Sequence, residues 1–316
     1  MKKILVTGAG GQIGSELVSS LRKRYGNNNV LASDLFENKG DDDSSNIYEK
    51  LDVLNKSEIL RIVKKYNINT IYHLAAILSA AGEKNPQLCF DVNLIGLYNV
   101  IEVARECNVK QIICPSSIAV FGPETPREMT PQQTIIMPKT MYGISKAAGE
   151  LICDYYTSKY KMDIRGLRYP GLISYKTLPG GGTTDYAVEI FYEAIKNKKY
   201  TCFLEPKTRL PMMYMEDAIR GTIELAEAEF SKLKNFSNFN FAAISFSCEE
   251  LAAEIKKHIP DFTIEYKPDF RQNIANSWPM SIDDSASREQ WGWKHNFNIE
   301  EIAFDMIKNL KSKINY

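Results

Sequence analysis

Ile4, Leu5 and Val6 run directly into Gly8-Ala9-Gly10-Gly11-Gln12-Ile13-Gly14, and beyond the glycines Ile13, Leu17, Val18 and Leu21 recur on one face of a helix. Strand, glycine turn and helix in that order commit the amino-terminal end to the first unit of a parallel α/β sheet. Glycines at 8, 11 and 14 let the backbone turn tightly, approach a pyrophosphate closely and pack the helix on the strand. The phosphates would lie at the helix amino terminus, beside Gln12 and Ile13. About 20 residues further on, the spacing this fingerprint uses, Val30-Leu31-Ala32-Ser33-Asp34 reads as a second strand. It ends in an acid placed to accept a hydrogen bond from an adenosine ribose. Asp34 therefore favours NAD over NADP, because a 2'-phosphate would meet a carboxylate and neither Leu35 nor Phe36 supplies a guanidinium.

Strand and helix signals alternate through the rest of the first half. Strands are expected near Ile47–Val53, Thr70–Leu74 and Gln111–Cys114, helices near Ser57–Tyr66 and Pro86–Cys107, and a further strand over Met162–Tyr169. This alternation predicts an α/β protein built on a Rossmann-type doubly wound parallel sheet. The helix near Pro86–Cys107 carries Val92, Leu94, Ile95, Leu97, Tyr98, Val100, Ile101 and Val103, too many apolar positions for one core-facing stripe. It is either buried on more than one side or meets a partner subunit. After Tyr169 the breakers Pro170-Gly171, Pro179-Gly180-Gly181-Gly182 and Leu210-Pro211 mark the passage into a smaller, mainly carboxy-terminal α/β substrate domain. The expected division is an NAD-binding domain over residues 1–169 with a returning segment near 212–245, and a substrate-binding region over 170–211 and 246–316. Helices are expected at Met215–Glu229, Cys248–His258 and Ile299–Lys311, and Asp41-Asp42-Asp43-Ser44-Ser45 as an exposed acidic loop.

Thirty-nine basic and thirty-nine acidic residues cancel, so no global field holds nucleic acid or an anionic membrane. No apolar run reaches the ~18–20 residues of a membrane span, and Ile4-Leu5-Val6 is too short for a signal-peptide core. A cytoplasmic protein is expected. Six scattered cysteines without a Cys-x-x-Cys read as buried free thiols, and with only three histidines no zinc spacing is present. Catalysis is expected to need no metal. His73, in Ile71-Tyr72-His73-Leu74, reads as a strand-end residue near the cofactor rather than a ligand.

Tyr142-Gly143-Ile144-Ser145-Lys146 places a phenol and an ammonium four residues apart, on one face of a helix. A neighbouring positive charge favours the phenolate and so makes tyrosine a usable base. Ser116-Ser117, on a different element upstream, supplies a hydroxyl that can bond the same substrate oxygen. A donor and a base around one carbon suit alcohol oxidation. The spacing alone is not selective, since Tyr155…Lys159 and Tyr192…Lys196 share it; its company singles out the first pair.

Taken together, Gly8-x-x-Gly11-x-x-Gly14, Asp34, Asp52-Val53, His73-Leu74-Ala75-Ala76, Asn93, Ser116–Gly122 and Tyr142-x-x-x-Lys146 resemble the extended short-chain dehydrogenase/reductase family, in its order and over essentially the whole chain. The resemblance implies that Asp52 and Val53 flank the adenine and that Leu74, Ala75 and Ala76 line the nicotinamide side. It counts Asn93 and Tyr169 with the cofactor residues, Asn93 also positioning the active-site helix. Ser117 takes the hydroxyl position and Tyr142 that of the base, while Lys146 holds the nicotinamide ribose and lowers the phenol's pKa. Within the family, the blocks Gly180–Tyr186, Leu204–Tyr214 and Ser277-Trp278-Pro279 are similar to the short-chain L-threonine 3-dehydrogenases. Those enzymes imply NAD-dependent, metal-free oxidation of the C3 alcohol of L-threonine to 2-amino-3-oxobutyrate by a homodimer joined through two long helices of each subunit. Relatives commonly carry threonine where this chain has Ser117. Gly182, Thr183 and Thr184 are then expected to supply donors for the substrate carboxylate, Trp278 to cover the site, and Ser79 to join them. The competing readings are a nucleotide-sugar 4-epimerase or dehydratase of the same fold, and an NAD-sensing protein without catalysis, against which the intact Ser117, Tyr142 and Lys146 argue.

Overall fold

The computed structural model describes residues 2–36, 47–178, 180–234 and 236–314; the acidic run at 41–45 lies outside them. β1 (Ile4–Thr7) leads into α1 (Gln12–Tyr25) and β2 (Val30–Asp34), followed by β3 (Tyr48–Lys50), α2 (Lys56–Lys65) and β4 (Thr70–His73). Both β1 and β4 are buried along their full length, as strands covered on both faces must be. Their side chains alternate. Ile4 and Val6 face one cluster with Leu17 and Leu21 of α1, whereas Leu5 faces another with Ile59 and Ile62 of α2.

The helical stretch expected over Pro86–Cys107 is divided. A short α3 (Ser79–Lys84) precedes α4 (Pro86–Phe90), a widened π turn spans Asp91–Ile95, and α5 (Gly96–Glu106) continues the same path. Within the widened turn, Asn93 accepts a hydrogen bond from the Ile77 backbone N–H at 2.8 Å and donates to the Ile77 carbonyl at 3.0 Å. Val100, Ile101 and Val103 of α5 are fully buried, yet Ile95 and Tyr98 remain 40% and 44% exposed, so one side packs on the core and another is left open. The chain then forms β5 (Gln111–Ile113), β6 (Ser116–Ser117), α6 (Met141–Tyr160), β7 (Asp163–Arg165), β8 (Leu167–Tyr169) and β9 (Gly171–Ile173). The strand expected over Met162–Tyr169 is thus two strands. Thr140 caps α6, its Oγ1 accepting from the Gly143 N–H at 3.1 Å.

The main sheet has six parallel strands in the order β3-β2-β1-β4-β5-β7. From β1 the chain moves outward one way to β2 and β3, then returns past β1 to β4, β5 and β7. The crevice beyond the carboxyl ends of β1 and β4 is therefore the topological switch point where such sheets bind ligands.

The second half adds α7 (Tyr186–Lys196), β10 (Lys199–Cys202), β11 (Arg209–Tyr214), α8 (Met215–Glu227), β12 (Phe239–Asn240), β13 (Ile244–Ser247), α9 (Cys248–His258), β14 (Thr263–Tyr266), α10 (Phe270–Asn276), α11 (Ser285–Trp291) and α12 (Ile299–Ile314). Its strands form three small sheets, β12-β8-β6, β13-β11-β9 and β10-β14. Ser247 and Glu250 close a capping box on α9. A third apolar cluster joins α7, α9 and α12 through Phe191, Leu251 and Met306. Met213, Ala218 and Leu225 around α8 return to the cluster under α1, and Trp293 packs there too.

Candidate active site

The start of α1 is shaped by close approach. Gly8 has φ +69°, and a Cβ there would stand 2.6 Å from the Ala75 nitrogen; a Cβ on Gly14 would meet the Gly8 carbonyl oxygen at 2.1 Å. A side chain on Gly8 would force the β1 and β4 ends apart, and one on Gly14 would lift α1 off the turn that follows β1. In front of this turn a cavity of about 1060 Å³ runs from Gly8 and Gly11 past Asp34 to Asp52, Val53 and the Leu74–Ala76 strand end. Asp34 is held at its rim, its Oδ2 accepting from the Gly10 N–H at 2.9 Å and its Oδ1 from the Leu35 N–H at 2.7 Å. The first turn of α1 carries no acidic residue and no side-chain cap. Its amino terminus thus favours an anion. Gln12 lines the adjoining chamber, and its buried Nε2 has no hydrogen-bond partner, a donor to which a phosphate or amide oxygen would be matched. The residues present fit a dinucleotide.

Two members of the expected cofactor set, Gly14 and Asn93, line neither the cavity nor the adjoining chamber. Gly14 packs α1 on β1. Asn93 lines neither of these two cavities: besides its pair of bonds to Ile77, its Nδ2 donates to Ser145 Oγ of α6 at 3.3 Å, so it ties the β4 loop to that helix.

A second chamber of about 140 Å³ opens beside the first. It brings together Ser117, Tyr142 and Lys146 with Ser79, Gly182, Thr183, Thr184 and Trp278, from segments far apart in sequence. Tyr142 stands in the first turn of α6 and Lys146 one turn later, with Nζ 5.8 Å from the centre of the Tyr142 ring and donating to the Pro115 carbonyl at 2.9 Å. On β6 the side chains alternate. Ser116 donates inward to Glu150 Oε1 at 2.6 Å, while Ser117 lines the chamber and its Oγ accepts from the Ala119 N–H at 3.2 Å. That bond uses a lone pair and leaves the Ser117 proton available to a substrate oxygen. Behind them the Arg168 guanidinium donates to both carboxylate oxygens of Glu150, at 2.9 and 2.8 Å, an almost fully buried pair that fastens α6 to β8.

His73, at the end of β4, faces the same chamber with Nδ1 2.8 Å from Thr7 Oγ1. Burial, reinforced by the Lys146 charge, pushes its pKa down to about 3, so the ring is neutral at ordinary pH. Tyr169 lines the chamber with its ring, because its hydroxyl is bonded to Thr222. Ser79 and Thr183 share a hydrogen bond at 3.1 Å.

One expectation is corrected. The glycine N–H groups proposed for a substrate carboxylate are already engaged, since Gly181 and Gly182 donate to Asp185 Oδ2 at 2.8 and 2.7 Å. An acceptor three or four residues away forms such a turn at little entropic cost, and the residue pattern alone does not display it. Gly182 therefore shapes the chamber, and the hydroxyls of Ser79, Thr183 and Thr184 remain as polar groups. Asp185 itself lines the chamber and was not anticipated; the signal available was an acid directly after Gly-Gly-Gly-Thr-Thr. Burial pushes its carboxyl pKa up, opposed by the two glycine bonds. Among the described residues no group of three or more His, Cys, Asp or Glu could hold a metal ion, all six cysteines are free, and no helix is long and apolar enough to cross a membrane.

Comparison with known proteins places this geometry. The family model described as NAD dependent epimerase/dehydratase family matches residues 4–240. An uncharacterized epimerase/dehydratase of Staphylococcus haemolyticus is 47% identical over 99% of both chains. Among solved structures, L-threonine dehydrogenase from Clostridium difficile is 50% identical, with a TM-score of 0.96 over 99% of this chain and 98% of that one. A monomeric L-threonine 3-dehydrogenase from a metagenome is 52% identical, with a TM-score of 0.96 over 99% of this chain and all of that one. With three quarters of its length matched by the family model and a switch-point crevice built for a dinucleotide, this chain belongs to the NAD dependent epimerase/dehydratase family.

Proposed function

We propose that this protein is an NAD-dependent, metal-independent L-threonine 3-dehydrogenase, converting the substrate to 2-amino-3-oxobutyrate. The observation that carries the reading is the small chamber: it joins a hydroxyl, a phenol and an ammonium to three further hydroxyls under Trp278, which is only 4% exposed. Its volume of about 140 Å³ is below the roughly 300–1,000 Å³ of sites for drug-sized ligands, which favours a small hydroxy amino acid over a nucleotide sugar. The solved structures half identical to this chain carry the same activity in their names.

In this reading the C3 hydroxyl lies between Ser117 and Tyr142. Ser117 donates to the substrate oxygen, and Tyr142 accepts the hydroxyl proton as the C–H bond breaks. Lys146, on the same helix face, places a positive charge beside the ring that favours the developing phenolate and is positioned to hold the nicotinamide ribose. NAD supplies the hydride acceptor, held by Gly8, Gly11, Gln12 and Asp34 along the larger cavity. Thr183, Thr184 and Ser79 orient the substrate carboxylate, and Trp278 excludes water. The six free thiols accord with a cytoplasmic protein. A homodimer through α5 and α6 belongs to the same proposal.

The decisive assay follows NADH absorbance after chelator treatment on adding L-threonine, L-serine or a uridine diphosphate sugar. Threonine should be oxidised about 10–200-fold more efficiently than serine, which leaves the space of the methyl group unfilled. No threonine-dependent NADH, together with interconversion of nucleotide sugars, would replace this reading with an epimerase.

A further inference from the structure

Asp185 closes the Gly-Gly-Gly-Thr-Thr segment immediately ahead of α7 and is 8% exposed. Its Oδ2 is occupied by the Gly181 and Gly182 N–H groups, whereas among the described residues no hydrogen bond or ion pair reaches Oδ1. The two charged side chains that act on it, Arg271 and Glu189, are already committed. Arg271 is paired with Asp269 and stacked on Phe203, and Glu189 accepts from the Tyr200 hydroxyl. Among the described residues that line the chamber, Asp185 is the one carboxylate and Lys146, anchored on Pro115, the one permanent cation. A carboxylate buried on all but one edge, with that oxygen left for an incoming donor, is matched by a cation.

We infer that Asp185 Oδ1 accepts the α-ammonium of the substrate and so selects a 2-amino-3-hydroxy acid over a hydroxy acid of the same size without nitrogen. This inference rests on the dehydrogenase reading and names the group that makes it specific. The chemistry is consistent with the layout: the ammonium-bearing carbon is bonded directly to the reacting carbon, so its acceptor must share one small chamber with Tyr142, as Asp185 does. The fixed glycine bonds hold Oδ2 still, leaving Oδ1 preorganised for the incoming N–H groups. The substrate carboxylate is thereby directed away from Asp185, toward the Ser79, Thr183 and Thr184 hydroxyls.

The test uses NAD-loaded protein and two unreactive ligands that differ only in the ammonium, L-2-aminobutyrate and butyrate, with dissociation constants measured by calorimetry. Wild-type protein should bind L-2-aminobutyrate about 10- to 100-fold more tightly than butyrate. Asp185→Asn keeps an oxygen for the two glycine N–H groups and removes the charge; it should bring the two affinities within about threefold while leaving NAD affinity unchanged. A mutant that weakens both ligands by the same factor would reduce Asp185 to a loop anchor and overturn the inference. Should the mutant fail to fold, the wild-type pair still decides, since equal wild-type affinities also overturn it. Failure of the parent reading looks different: wild-type protein would then show no threonine-dependent NADH at all.

Discussion

Tyr142→Phe removes one oxygen from the chamber and keeps the ring that Lys146 lies against, so it isolates the proton acceptor. Turnover should fall about 10²–10⁴-fold with NAD affinity nearly unchanged; a folded mutant retaining a tenth of wild-type turnover would exclude Tyr142 as the base. Asp34→Ala removes both the ribose acceptor at the cavity rim and the charge that repels a 2'-phosphate. Wild-type protein should prefer NAD, and the mutant should narrow the ratio of kcat/KM for NAD over NADP by about tenfold or more. Equal wild-type efficiency with the two cofactors would refute this. Thr184→Val keeps the shape and deletes a hydroxyl, so KM for threonine should rise severalfold while NAD binding is spared; an unchanged KM would remove Thr184 from the carboxylate contacts. At this scale the placement of Gly8, Gly11, Asp34, Ser117, Tyr142 and Lys146 along the two cavities is legible in the sequence because short segments hold them at fixed spacings. Asp185 and the bonds of Asn93 to Ile77 are not, because each depends on which partner a side chain finds in three dimensions: the glycine N–H groups for one, and the backbone of Ile77 for the other.

Among the elements, α6 does the most positioning, since its first two turns carry Tyr142 and Lys146 and its third carries Glu150. The Glu150–Arg168 pair is 5% and 1% exposed, and Arg168 also donates to the Gln132 carbonyl and Asn240 Oδ1. Glu150→Gln leaves a guanidinium charge inside without its partner and should cost about 3–5 kcal/mol in urea unfolding. Replacing both, as Glu150→Leu with Arg168→Met, should recover a substantial part of that loss. A single-mutant cost below about 1 kcal/mol would show that the pair contributes little. Helix periodicity predicts α1 well because Ile13, Leu17, Val18 and Leu21 follow a regular repeat. It misses the widened turn at Asp91–Ile95, where Asn93 bonds the Ile77 backbone in the loop after β4 rather than continuing the stripe, and that exchange leaves no mark on the spacing of apolar residues.

For the whole molecule, the exposed side of α5 and α6 carries Tyr98, Leu151, Tyr155 and Tyr160, the leucine 71% exposed, which makes it the face on which a second copy would pack. Light scattering should give twice the chain mass at micromolar concentration, and Leu151→Glu should halve it; since one solved relative is described as monomeric, a wild-type monomer would overturn the proposed dimer. The larger cavity is lined entirely by residues between Gly8 and Val92, whereas Gly182 to Asp185 and Trp278 reach the smaller chamber from the second half of the chain. Gln12, Ser79, Ser117, Tyr142 and Lys146 of the first half meet them there, so the smaller chamber is the seam where the two stretches of the gene join. Codons 182–185 and 278 encode none of the larger cavity's lining, so on the proposed reading changes there would alter the choice of small alcohol piecemeal, by inheritance or by engineering, on an unaltered redox half.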